Sequence, residues 1–138
     1  MADVSFLLDP RLQSSTHAVG DLGLSRLLLM NDSRFPWLIL VPRRAGLVEI
    51  VDLDARDRAL LIEEIAAVSH WLRARGEVDK INVGALGNIV AQLHVHIVAR
   101  RIGDPAWPGP VWGAGSAQPY ADAAARALVR TIARDLIA

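Results

Sequence analysis

Asn82-Val83-Gly84-Ala85-Leu86-Gly87-Asn88-Ile89-Val90-Ala91-Gln92-Leu93-His94-Val95-His96-Ile97-Val98 is the stretch whose reading decides the fold of this chain. Ile81-Asn82-Val83 reads as a short strand, and 84–88 as a loop punctuated by two glycines. Residues 90–99 read as a second strand with partial alternation. Successive side chains on a strand point to opposite faces. Leu93, Val95 and Ile97 are therefore expected to pack under a helix. Gln92, His94 and His96 point the other way, spaced about 6–7 Å from neighbour to neighbour. Three readings fit this row. The two histidines could be solvent-facing or capped; they could share a metal ion; or one could be an imidazole nucleophile with helpers. Catalytic zinc wants a third protein ligand and an open position. The other histidines, His17 and His70, sit in no motif that would supply one.

Outward from this stretch, Arg26-Leu27-Leu28-Leu29-Met30 and Trp37-Leu38-Ile39-Leu40-Val41 flank the polar turn Asn31-Asp32-Ser33. Two apolar runs around a short polar loop predict a β-hairpin, and their continuous apolarity predicts central strands covered on both faces. Asp54 stands where a helix N-cap belongs. Over 58–75 the residues Leu61, Ile65, Val68 and Leu72 recur at helical spacing, and Gly76 fits the exit. Residues 103–115 form a loop rich in Gly, Pro and Trp. Pro119 could open a last helix, about 119–137, along which Ala121, Ala125, Leu128, Ile132 and Leu136 recur. The first twenty residues are mixed, with Asp9-Pro10 and Ser14-Ser15 as turn signals. Strands, a helix and further strands predict an α+β fold with an antiparallel sheet.

The chain has 138 residues, a length that suits one domain (1–138, core about 26–112). Lys+Arg and Asp+Glu both number 15, so no overall basic field favours a nucleic acid polymer. There is no cysteine, which removes disulfides, thiolate metal sites and thiol nucleophiles. The run Val4-Ser5-Phe6-Leu7-Leu8 is too short for a signal-peptide core and lacks a basic flank, and no stretch approaches the roughly 18 apolar residues that span a bilayer. A cytoplasmic protein without membrane contact is expected.

The pattern Asn82-x-Gly84-x-x-Gly87-Asn88-x-Val90-x-Gln92-x-His94-x-His96 resembles the signature of the histidine-triad (HIT) superfamily. In that family the strand reads His-φ-His-φ-His-φ-φ, φ being apolar. The pair Ile97-Val98 sets the register. His94 falls on the family's central, nucleophilic histidine, His96 on its third, and Gln92 replaces the first. The resemblance covers roughly 26–112. Residues 31–42 match the family's earlier hairpin, and Trp107-Pro108-Gly109-Pro110 is similar to the Trp-Pro-rich tail of Hint-type phosphoramidases. It implies a HIT-like antiparallel sheet of about five strands with one long helix and a C-terminal helix.

The chemistry it implies is transfer of a nucleoside monophosphoryl group through a phospho-histidine. The chain would then be a nucleotide phosphoramidase or a dinucleoside polyphosphate hydrolase, acting on a purine nucleotide or nucleotide conjugate. His94 and His96 would be catalytic. Asn31, Asn82, Gly87, Asn88 and Gln92 would bind substrate, Asn31 at the ribose. A backbone carbonyl would hold one ring nitrogen of His94 as a donor, and His96 would offer phosphate oxygens a hydrogen bond or a positive charge. No metal or cofactor is implied, and a homodimer is. Three departures stand out. Gln92 removes one imidazole, Ile89 stands where many active members place Ser or Thr, and Trp37 stands where several carry a further histidine. They suggest a pocket rebuilt around a bulkier apolar wall. Two alternatives therefore stay open: a nucleotide-binding module without turnover, and a nucleotidyltransferase with an acceptor other than water. Trp107 and Trp112 are expected to pack rather than stack on a base. The pairs Arg43-Arg44 and Arg100-Arg101 are expected to be solvated.

Overall fold

The computed structural model describes residues 5–137, so Val4 of the first apolar run lies outside the described residues. Strands β1 (Thr16–Asp21), β2 (Ser25–Met30), β3 (Trp37–Pro42), β4 (Lys80–Gly84) and β5 (Val95–Arg100) make one sheet in the order β1-β2-β3-β5-β4. Every neighbouring pair is antiparallel. Helices α1 (Pro10–Ser15), α2 (Ala55–Arg73) and α3 (Asp122–Leu136) complete the described secondary structure, with a short 3-10 turn at Ile50–Asp52. The hairpin is β2–β3, with Leu27 opposite Leu40. Among the described residues no helix is long and apolar enough to cross a membrane.

The sheet's alternation sorts its side chains into two layers. Leu27, Leu29, Leu38, Leu40, Val95 and Ile97 face α2 and pack with Leu61, Val68 and Leu72. Leu28, Ile39, Val41 and Val98 face the other way, under Leu12 of α1 and Val111 of the 103–115 loop. β3 is buried along its whole length, as its unbroken apolarity predicts. Asp54 caps α2, its carboxylate accepting from the Asp57 amide at 2.8 Å.

Three expectations about the elements need correction. β5 begins at Val95 rather than Val90, because the chain before it bonds elsewhere: the Leu93 amide donates to the Leu47 carbonyl at 3.0 Å, outside any strand ladder. The last helix begins at Asp122, not Pro119. The backbone of 118–120 is engaged by the β2–β3 turn, Ser33 donating to the Gln118 carbonyl and Tyr120 to Asn31 Oδ1, so it cannot enter a helix. Finally, the mixed N-terminus is ordered as α1 and β1. Asp9 caps α1, Pro10 takes its first turn, and β1 pairs with β2 through an irregularity between Ala18 and Gly20.

Candidate active site

β5 carries His96 on the face away from α2, opposite Ile39 of β3 on one side and Gly84 of β4 on the other. His94 lies just before the strand. The backbone leaves both imidazoles on the same side, and the rings converge edge to face with centroids 4.9 Å apart. Both are buried, at 6% and 7% exposure, so neither is a solvated surface histidine. They line a cleft of about 600 Å³ with Gly87 and Asn88 from the glycine loop, Trp37 from β3 and Trp112 from the loop after β5. Gly87 has φ +72°, a left-handed conformation that glycine adopts without strain. Gly84 serves differently: any side chain there would press to 3.0 Å from the Trp112 indole, so its bare Cα lets the tryptophan close the cleft beside His96.

The hydrogen bonds assign opposite tautomers to the two histidines. His94 Nδ1 lies 2.7 Å from the Gln92 carbonyl oxygen, which can only accept. Nδ1 therefore carries the proton, and Nε2 keeps its lone pair. At His96 the relation is reversed. The Trp37 indole N–H donates to His96 Nδ1 at 3.0 Å, within the buried layer. Nδ1 is thus the acceptor and Nε2 carries the hydrogen. Burial, with the neighbouring His94 second, pushes the His96 pKa down from 6.5 to about 4. Near neutral pH His96 therefore presents an N–H and no charge. Trp37 is more than a wall, since its N–H fixes the tautomer of His96.

A consequence for stability follows from His96. Its folded pKa lies below its ordinary value, so between pH 6.5 and 4 the unfolded chain binds the extra proton. Stability is full above pH 6.5 and falls as the pH drops towards 4, by about 3 kcal/mol in total from this group. Urea unfolding across that range should show the loss, and a His96→Asn variant should show a markedly flatter profile. Parallel profiles for the two proteins would rule out the assignment.

The structure brings His94, His96, Gly87 and Asn88 together, and it engages the other three expected substrate contacts elsewhere. Asn31 Oδ1 accepts from the Tyr120 amide at 3.0 Å and ties the β2–β3 turn to the approach of α3. Asn82 Oδ1 accepts from Arg100 Nη1 at 2.9 Å. Gln92 turns out of the row. Its Nε2 donates to the Leu7 carbonyl and its Oε1 accepts from the Asp9 amide, both at 2.8 Å, which docks the segment before α1. None of the three lines the cleft. Among the described residues no group of three His, Asp or Glu is placed to hold a metal ion.

Arg101 is exposed as expected, but the other three paired arginines are engaged by the protein. Arg43 donates to the carbonyls of Leu22, Gly23 and Leu24, and Arg44 grips Asp57 with two nitrogens. Arg100 is buried with Asp104. Of the two loop tryptophans, Trp107 packs under the Arg100 guanidinium, whereas Trp112 lines the cleft. Two arginines that carry no sequence signal do reach the cleft. Arg34 is held by Asp32 and the Ala114 carbonyl, and Arg11 of α1 reaches the glycine loop at the Ile89 carbonyl.

Comparison with known proteins agrees with this architecture. The family model described as the HIT domain matches residues 11–103. A histidine triad protein from Sinorhizobium meliloti 1021 is 49% identical over 96% of this chain and 98% of its own, with a TM-score of 0.91. One from Bradyrhizobium japonicum is 45% identical over 95% and 98%, with a TM-score of 0.90. One from Marinobacter aquaeolei VT8 is 43% identical over 95% and 96%, with a TM-score of 0.91. A search of curated proteins found no match.

Proposed function

Since the chain belongs to the HIT domain family, we propose that it transfers a nucleoside monophosphoryl group by way of a phospho-histidine on His94. One observation carries this reading. Two buried imidazoles 4.9 Å apart hold complementary tautomers, one presenting a lone pair and the other an N–H, at the floor of a cleft of about 600 Å³. A nucleophile needs the first and a phosphate oxygen needs the second.

In this reading His94 Nε2 attacks the α-phosphorus of a purine nucleotide conjugate. A P–N bond to the imidazole forms as the bond to the leaving group breaks, and the bonding electron pair departs with that group. The ring's new positive charge is stabilised through Nδ1–H on the Gln92 carbonyl. His96 Nε2–H donates to a non-bridging oxygen of the transferred phosphoryl group. Asn88 and the backbone amides beside Gly87 supply further donors. Water then attacks phosphorus, loses a proton and frees the imidazole. A phosphoramidate or a dinucleoside polyphosphate would suit this first step, and an acceptor other than water would make the chain a nucleotidyltransferase. Asn31, Asn82 and Gln92 contribute by shaping the cleft's surroundings, and no cofactor is required. A cytoplasmic location and a homodimer belong to the same reading. Exposed Val83 on the edge strand β4 and exposed Ile62 on α2 would suit a partner copy, and light scattering tests that.

The test is incubation with adenosine phosphoramidates and with diadenosine polyphosphates, followed by chromatography for AMP. Release of AMP that depends on His94 is the expected result. Tight nucleotide binding by calorimetry with no product after long incubation would instead assign a binding module, a reading that exposed Ile89, whose side chain carries no hydroxyl, favours.

A further inference from the structure

Gln92 and Arg11 together carry a statement about the leaving group, resting on the transfer reading above. We propose that Arg11 is the cation that receives an anionic leaving group, held at the cleft by Gln92, so that preferred substrates expel a phosphate-bearing group rather than an alkylamine.

The placement starts with the Gln92 carboxamide. By donating to Leu7 and accepting from Asp9, it fixes the backbone immediately before α1 from both sides. Asp9 then caps α1 through the Arg11 amide at 2.8 Å and pairs with the Arg11 guanidinium, Nε at 3.2 Å and Nη2 at 3.0 Å. Arg11 Nη1 donates to the Ile89 carbonyl at 3.0 Å. The guanidinium is thus tied to two separate segments at the lip of the cleft. Three of its five N–H groups are engaged, leaving one on each terminal nitrogen for an incoming oxygen. Its side chain is 60% exposed, so an anion can reach it. Position 89 offers no hydroxyl of its own, and a cation rests on its backbone carbonyl instead.

The chemistry of departure separates substrate classes. When His94 displaces a phosphate-bearing group, the P–N bond forms, the P–O bond breaks, and the electron pair stays on the departing oxygen. No proton has to move, and a fixed guanidinium offsets the charge. An alkylamine must acquire a proton as it leaves. Arg11 cannot give one, because pairing with Asp9 raises a pKa that is already far above neutral. His96 is neutral, Asp9 is held ionised by Arg11, and Asp32, in the same cleft, is held ionised by Arg34 and backbone donors against its burial. The described cleft is therefore equipped for an anion that departs as it is.

The experiment compares diadenosine triphosphate, which would expel ADP, with an alkylamine phosphoramidate of AMP. Wild type, Arg11→Ala, Arg11→Lys and Gln92→Ala are assayed side by side. Arg11→Ala should lower kcat/KM for the dinucleotide roughly 10- to 100-fold, with a clearly smaller loss on the phosphoramidate. Arg11→Lys should recover part of the difference, and Gln92→Ala should reproduce its direction by releasing the segment. Equal losses on both substrates, or a wild type that prefers the phosphoramidate, would overturn the proposal. If wild type releases AMP from neither, the transfer reading falls first. Arg11 is then judged by calorimetry, in which Arg11→Ala must weaken ADP binding more than AMP binding; an unchanged ratio overturns it too.

Discussion

His94→Ala is expected to lower kcat for AMP release by at least about 10³-fold, with the fold intact by circular dichroism. The size follows from what is removed. Alanine leaves no group in the cleft with a lone pair held ready by a partner: the Trp37 N–H occupies His96 Nδ1, and His96 Nε2 carries the hydrogen. His96 therefore cannot substitute for its neighbour without rotating its ring and giving up the indole bond. His96→Ala should cost less, about 10²- to 10³-fold, the usual loss when one donor to a developing phosphate charge is deleted. The stability cost of His94→Ala should be on the order of 1–3 kcal/mol, for one hydrogen bond and some buried volume. Steady-state kinetics on purified variants checks the order of the two effects. A His94→Ala enzyme keeping a tenth of wild-type activity would exclude His94 as nucleophile.

The second large effect concerns stability. Arg100 is 2% exposed, and its Nε and Nη2 hold the two Asp104 oxygens at 2.8 and 2.9 Å. Nη1 holds Asn82 Oδ1, and the guanidinium packs over Phe35 and Trp107. This cluster pins the start of the 103–115 loop, which brings Trp112 to the cleft. Arg100 holds Asp104 far below the usual carboxylate range, against its burial and with help from the Arg101 and Ala106 amides, so removing Arg100 leaves a buried carboxyl with only backbone donors. Arg100→Ala should therefore cost about 3–5 kcal/mol, most of it the charge left buried and unpaired. Arg100→Met with Asp104→Leu should cost clearly less than Arg100→Ala, because the double change leaves no orphaned ion. Urea unfolding measures both. If the double variant is as damaged as the single one, packing on Phe35 and Trp107 rather than charge holds the loop.

Much of the fold could be read from residue pattern, and the exceptions have physical causes. The β2–β3 hairpin and α2 declare themselves through long apolar periodicities and a cap, features local in the chain. α1 and β1 do not, because α1 is a helix of only six residues with one buried side chain and β1 is buried on no residue completely. The two histidines were legible because alternation alone places them on one side. Partners decided what alternation could not. Asn82, Asn31 and Gln92 have the residue types of a phosphate or ribose site, yet each is bonded to a group 18, 89 or 85 positions away. Arg11 was illegible for the same reason: beside Asp9 it reads as a local surface ion pair, and only the contact with Ile89, 78 positions on, brings it to the cleft.

The most direct test is covalent. Wild-type protein mixed briefly with substrate, quenched in alkali and digested should yield a peptide carrying nucleoside monophosphate on the imidazole of His94, located by mass spectrometry. It should be absent from His94→Ala and should accumulate when the second step is slowed. AMP release with the adduct on another residue, or with no adduct at any quench time while turnover proceeds, would contradict the assignment of His94 as the nucleophile.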